Sequence, residues 1–582
     1  MTNPKAGFSS RLKSTAPDSI NSPDLRCRAN DNDIANGYTC PMRSPLAAAC
    51  SLLAFVASSC TPSDTEPAPD GSTFDSVSFP DDFRFGTAIA QWQVEGDTGV
   101  DGNVVDSNWH RWMEMDKAKG GQKNPIGNGF ATQYVDDIAR AKALGLDTFR
   151  LGVDWSRIEP EPDVFNDAEL DHFVDVLDAV RAAGMQPVVT LWHWTVPVWV
   201  QQPDPDAAGG SVDLLATDDR AVVDHFEDFV RHVVPRIKDR VDTFTVLNEP
   251  FSIISVGYLD GRFPPGKRLD ITGGTRVGIN LAFMHAAAFN VIKELDDVDA
   301  DGDGKDSFVG LTMTANDMYP EDATSAPQQK SAQSINYVFN DWFIEALTSG
   351  ALDVNLDQDT DDVDTIPAEG IYDELKGTLE FIGVQYYGPG KVTDEGFLGQ
   401  LLVDTAPLYG APLLDVADYS GDGPLLPHNA MGREISAPGF RDTLDRYAQW
   451  GLPLIVTENG TTTNARDEAI DTLRPGDPLP AVVDESAQAA MFILEHLYEV
   501  GHAIDDGLDI RGYYHWTIAD NFEWVDGQLQ HFGAYSVDFN DPALPRTLNA
   551  QGEALRDVAT ARGIDEAVWS KWVLAKYPTD RR

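Results

Sequence analysis

From Ser78 onward the chain alternates eight short apolar runs with amphipathic stretches, and that rhythm leaves few folds open. The runs are 84–90, 148–155, 187–194, 243–249, 308–316, 381–388, 453–460 and 511–518. Their continuous apolar character suits strands buried on both faces, as in a parallel sheet. Between them, 128–145 and 167–184 carry apolar residues at helical spacing and end at Gly145 and Gly184, with Asp167 as a capping-type start. Similar stretches fall at about 218–239, 275–296, 328–349, 440–450, 483–504 and 549–562. Eight strand–helix alternations predict an α/β chain folded as one (β/α)8 TIM barrel over 78–575.

Barrels of this kind place their chemistry at the C-terminal ends of the strands. Two glutamates fall there. Glu249 closes VLNEP at the end of the fourth run, and Glu458 lies in IVTENG at the end of the seventh. Each ends a β-branched run just before a Pro or Gly break. A glycosidic bond is hydrolysed by two carboxyl groups facing each other across one sugar. One protonates the leaving oxygen, and the other attacks or stabilises the anomeric carbon. Glu249 and Glu458 are the candidate pair.

Composition narrows the partners. The 582 residues are 42% hydrophobic and 10% aromatic, enough for a large core. The net charge of −51, from 94 acidic and 43 basic residues, excludes phosphate-backbone recognition, so no nucleic acid is expected. It also opposes electrostatic docking on anionic lipid and describes a well-solvated acidic surface. The four cysteines, Cys27, Cys40, Cys50 and Cys60, all precede the globular part, which therefore has no disulfide, thiolate metal site or cysteine nucleophile.

Residues 1–60 read as a leader. Arg43 gives a positive start, Pro45 to Val56 is largely apolar and short for a membrane span, and Ala57-Ser58-Ser59 leads into Cys60. This resembles a bacterial lipoprotein signal, with Cys60 as the lipidated residue and 61–77 as a flexible linker. Cys50 is a second candidate, and an unprocessed leader is the alternative. The expectation is an exported protein of the bacterial cell envelope, lipid-anchored to the membrane or free in the periplasm or outside.

Several motifs in one order carry a wider resemblance. They are FPDDFRFGTAIAQWQVEG (79–96), FRLGVDWSRIEP (149–160), TLWHWTVPVWV (190–200), TVLNEP (245–250), GVQYYG (383–388), IVTENG (455–460) and DNFEW (520–524). Together they resemble family 1 glycoside hydrolases, the β-glucosidase family, over about 79–570.

The resemblance implies a retaining exo-β-glycosidase with Glu249 as acid/base and Glu458 as nucleophile. The two carboxyl groups are then expected about 5–5.5 Å apart. Arg150 and Tyr387 match groups that contact the nucleophile, and their donors would favour its carboxylate. Asn248 matches the residue that binds the sugar 2-hydroxyl. Gln93, His193, Trp194, Trp516, Glu523, Trp524 and Phe532 match the sugar-holding positions, where polar side chains meet hydroxyls and aromatics meet C–H faces. Glu523 would repel a 6-phosphate, so unphosphorylated β-glucosides are expected, with β-galactosides and β-fucosides as further candidates. No cofactor is required and no metal is assigned to the site. Gln385 departs from the family's usual Asn, His515 from a typical apolar residue, and Asn549 from a usual Lys.

A non-catalytic carbohydrate-binding lipoprotein on the same scaffold is one alternative. A transglycosidase, which passes the sugar to an acceptor other than water, is another. Aglycone choice is assigned to loops 389–440 and 461–482, and the oligomeric state is not readable. One motif stays outside this scheme. DADGDGKDS (299–307) resembles the first half of a calcium loop through Asp299, Asp301, Asp303 and Gly304, but Gly310 stands where a bidentate Glu belongs. It is either a solvated acidic loop or a structural Ca2+ site.

Overall fold

A computed structural model describes residues 74–356, 358, 360, 368–392, 431, 435–463 and 486–574. The leader with its Cys60, and most of the two loops assigned to aglycone choice, lie outside the described residues.

The eight runs form one closed parallel barrel. Its strands are β1 (Arg84–Ala88), β2 (Thr148–Gly152), β3 (Gln186–Trp192), β4 (Thr243–Asn248), β5 (Phe308–Thr314), β6 (Phe381–Tyr386), β7 (Leu454–Asn459) and β8 (Ile510–Trp516). Each pairs with the next, and β8 closes on β1 with Trp516 opposite Ala88. All five residues of β2 and all six of β7 are buried. That is why the runs lack alternation: one face packs the barrel interior and the other packs the helices.

The helices follow the amphipathic stretches. They are α1 (Phe130–Ala143), α2 (Asp167–Ala182), α3 (Ala221–Ile237) and α4 (Ile271–Leu295). α5 (Ala326–Asn336) runs through a π-helical turn at Tyr337–Asp341 into Trp342–Ser349. α6 (Ala437–Ala448), α7 (Ser486–Asp505) and α8 (Ala550–Ala561) complete the set. The cap of α2 is Asn166 rather than Asp167. The Asn166 side chain accepts from Ala168 N at 3.2 Å, and Asp167 sits in the first turn, where the helix dipole favours an acid. Asn549 caps α8 by accepting from Gly552 N at 3.2 Å, which gives this departure from the family pattern a structural use.

The linker boundary also moves. Val77–Ser78 pairs antiparallel with Gly563–Ile564, and Phe74 packs 5.6 Å from both Tyr498 and Trp569. Residues 74–77, read as linker, therefore belong to the folded body, because Phe74 packs on partly buried Tyr498 and Trp569 and Val77 pairs with buried Ile564.

Pairing registers shift at the upper ends of three strands: between Thr245 and Asn248, between Val384 and Gln385, and between Val456 and Asn459. Such irregularities re-aim the side chains beside them. Gly460 ends β7 against the Trp516 carbonyl, where a Cβ would lie 2.1 Å from the oxygen. Gly460→Ala should therefore cost about 1–3 kcal/mol of stability through overpacking. A lower Tm in calorimetry would show it, and an unchanged Tm would contradict the close approach.

Candidate active site

Glu249 follows the irregular end of β4 in the left-handed region, at φ 42°, with Pro250 starting a short helical turn, Pro250–Ser252. Its N–H donates to the Thr312 carbonyl at 2.9 Å, which ties the bend to β5. A non-glycine residue held at positive φ is strained, and such strain concentrates at functional sites. The Ser252 hydroxyl donates to Glu249 Oε2 at 2.8 Å and also meets Thr314 Oγ1 at 2.8 Å, fixing the carboxyl group.

Glu458 lies in β7 and is 4% exposed. Arg150 Nη1, from β2, donates to Oε1, and the Tyr387 hydroxyl, just past β6, donates to Oε2 at 2.6 Å. Burial raises the Glu458 carboxyl above its ordinary value, while Arg150 and Tyr387 pull it back down. The sequence expectation included only the lowering partners. The net direction is upward, because desolvation of a buried carboxylate is a property of the packed structure. Tyr387 is held well above the ordinary tyrosine value by burial and by Glu458 and Glu249, so its hydroxyl keeps its proton and stays a donor.

Asn248 is oriented by its neighbours. Its Oδ1 accepts from Arg150 Nη2 at 2.6 Å, Gln385 Nε2 at 2.8 Å and Thr312 Oγ1 at 3.2 Å. A guanidinium can only donate, so the atom facing it is the oxygen. The amide nitrogen then points the other way, buried and without a partner. Gln385 thus reaches from β6 to Asn248, a contact its added methylene allows.

The remaining predicted residues form a wall and the support behind it. His193 is kept neutral: burial lowers it well below the ordinary histidine value, and Arg150 adds to the effect. Trp194 donates through Nε1 to the Asn248 carbonyl at 2.8 Å. Gln93 donates to Glu523 Oε2 and to the Phe522 carbonyl, both at 3.0 Å. Trp524 stacks on Trp92 at 5.4 Å and packs 4.7 Å from Trp194. Phe532 meets Tyr387 edge-on at 6.0 Å. His515 is a neutral residue of the barrel wall, lowered to about 4 by burial.

One pocket of about 700 Å3, open to solvent, collects most of these groups. Glu249, Glu458, His193, Trp194, Tyr387, Trp516, Glu523, Trp524 and Phe532 line it. Gln93, Arg150 and Asn248 are buried next to these groups: Gln93 donates to Glu523, and Arg150 donates to both Glu458 and Asn248. A concave site of this size, with aromatic walls and two carboxyl groups, suits a small polyhydroxylated ligand.

The sequence profile of glycosyl hydrolase family 1 matches residues 75–564. The chain belongs to glycosyl hydrolase family 1. It is 28% identical to Beta-glucosidase 13 of Arabidopsis thaliana over 486 residues, covering 80% of this chain and 89% of the relative. It is 27% identical to a Beta-galactosidase of Sulfolobus acidocaldarius, covering 84% of this chain and 96% of the relative. Among solved structures, a beta-glucosidase from Thermotoga maritima in complex with glucoimidazole superposes with a TM-score of 0.66 at 25% identity, covering 84% of this chain and all of that one (100%).

This family 1 glycoside hydrolase adds residues that sequence reasoning missed. Ser252 was within reach, three residues after Glu249 on a turn started by Pro250. Val256, Arg262, Phe263, Met431, Val525 and Asp526 also line the pocket. Val256 comes from a π-helical segment, Ile253–Asp260, which is buried from Ile253 through Tyr258 and so shows no period to read. Enzymes of this family need no cofactor.

Tyr387→Phe removes one of the groups that lower Glu458. A hydrogen bond to a charged group is worth about 1.5–3 kcal/mol, or about 1–2 pH units. The Glu458 pKa should rise by that order, and the acidic limb of kcat/KM should move to higher pH. A limb that stays in place would show that the hydroxyl does not govern this carboxyl.

Proposed function

We propose that the chain is a retaining exo-β-glycosidase acting on unphosphorylated β-glucosides, with β-galactosides and β-fucosides as further substrates. The supporting observation is that Glu249 and Glu458 open into one pocket, with Glu458 held between Arg150 and Tyr387. The names of the relatives, a beta-glucosidase and a beta-galactosidase, agree with this choice of sugars.

In this proposal Glu249 protonates the glycosidic oxygen as the bond to the anomeric carbon breaks. Glu458 attacks that carbon and forms a covalent glycosyl-enzyme. Glu249, now ionised, takes a proton from water, which displaces Glu458 with overall retention. The unpartnered Asn248 amide nitrogen is the donor for the 2-hydroxyl. Glu523, fixed by Gln93, receives the 4- and 6-hydroxyls, and its charge disfavours a 6-phosphate. Trp516 and Trp524 take the apolar faces of the ring. Two carboxyl groups in one pocket count against a binding-only barrel.

We also place the enzyme in the bacterial cell envelope, on the strength of the leader that ends at Cys60. Among the described residues no helix is long and apolar enough to cross a membrane.

Glu249→Gln and Glu458→Gln should each lower kcat on a nitrophenyl β-glucoside by about 10²-fold or more. With Glu458→Ala, added azide should restore turnover and give a glycosyl azide of inverted configuration. Wild-type rates in either Gln variant, or a retained azide product, would sink the assignment. Nitrophenyl β-glucoside should be cleaved faster than its 6-phosphate, and the reverse order would remove the role given to Glu523.

A further inference from the structure

A second cluster of carboxylates lies at the opposite end of the barrel from the pocket. The 299–307 segment joins α4 to β5, and Asp242 immediately precedes β4, so both sit at the N-terminal ends of strands. Carboxylate oxygens of Asp242, Asp299 and Asp301 all lie within 4.8 Å of one another. Two ligands on opposite sides of a calcium ion, each at about 2.4 Å, would span about that distance.

Acidic residues gather on many surfaces, and what sets this group apart is Asp242. It is 7% exposed, and its Oδ2 has no hydrogen-bond partner. Its Oδ1 accepts from Ala300 N at 2.8 Å, so the carboxylate faces the loop. Asp296, next to the end of α4 and 5% exposed, also has a buried Oδ2 without a partner and repels Asp242. The nearby cations are engaged elsewhere. Lys238 pairs with Asp297 and donates to the Leu295 carbonyl, while Arg181 donates to Gln186 and the Ala300 carbonyl. Backbone donors and the charge of Lys238 offset only part of the burial and mutual repulsion of these carboxylates, and a bound cation would offset the rest.

We propose that Asp242, Asp299 and Asp301 bind a structural Ca2+ that pins the 299–307 loop to the base of β4. The loop begins like a contiguous calcium-binding loop but has Gly310 where the final carboxylate belongs. Asp242 supplies that carboxylate from a different element. Asp303, third acid of the motif, is not among the three converging carboxylates, so the order of a contiguous loop is not reproduced; Asp299 accepts from Gly302 N and Gly304 N, and Asp301 from Asp303 N, which shapes the loop around the cluster. An all-oxygen, multiply charged set on a loop suits Ca2+ better than Mg2+, which demands near-ideal octahedral geometry.

The test uses the full chain, stripped with EGTA and titrated with CaCl2 by calorimetry, alongside Tm measurements. The expected result is one Ca2+ per chain and a higher Tm that EGTA reverses, with no change in glycosidase activity at ambient temperature. Asp242→Asn should weaken calcium binding by about tenfold or more, since ligand charge sets affinity. In EGTA the same variant should melt no lower than wild type, because it relieves repulsion. If it does not fold, Asp301→Asn should give the same crossing. Absence of binding heat with an unchanged Tm would overturn the site. So would a Tm rise reproduced by MgCl2 or NaCl, which would be screening of the acidic surface. Neither result bears on the pocket chemistry.

Discussion

Arg150 and Glu458 form an ion pair with almost no solvent contact: Arg150 is 0% exposed and Glu458 4%. Placing both charges there is expensive, and the mutual attraction of the pair, with the hydrogen bonds around it, offsets that cost. Arg150 gives one nitrogen to Glu458 and another to Asn248, so a single side chain from β2 reaches β7 and β4. Gln385 from β6 and Thr312 from β5 complete the set around the same Asn248 oxygen. Five strands thus converge on two acceptors, and the position of the Glu458 carboxylate follows from that network, while Ser252 and Thr314 fix Glu249.

The backbone at the upper rim is shaped to the same end. Regular strands would send successive side chains to opposite faces. The register shifts in β4, β6 and β7, with the positive φ of Glu249, break that alternation where the pocket needs it. Asn459 then ties the rim together: it donates to the Tyr386 carbonyl at 2.6 Å and accepts from the Tyr513 hydroxyl at 2.8 Å. Glu458 is therefore held by its chain neighbour as well as by its own partners. At the opposite rim Asp242 and Asp296 each accept a backbone N–H and keep a second oxygen buried without a partner.

Much of the architecture was legible because burial on both faces leaves a plain signature. All eight strands lie within the predicted runs to within a residue or so, and α1 to α8 fall on the predicted stretches. Errors arose where one residue decides a boundary. Asn166 displaced Asp167 as a cap because either side chain can accept from the first turn. Phe74 and Val77 looked like linker because their partners, Trp569 and Ile564, lie almost five hundred residues away. The pocket was legible as a set of residues but not as a hydrogen-bond network: that Gln93 holds Glu523 and that Arg150 bridges Glu458 and Asn248 follows only from their placement in space.

By itself the sequence determined the barrel, the strand ends that carry Glu249 and Glu458, and the family, because periodicity and ordered motifs are local properties of the chain. Tertiary structure alone decided which atoms are dry. Desolvation raised Glu458 against two donors, and packing left the Asn248 amide nitrogen and one Asp242 oxygen buried without partners. Solvent exclusion depends on every neighbour at once, and no stretch of sequence contains it.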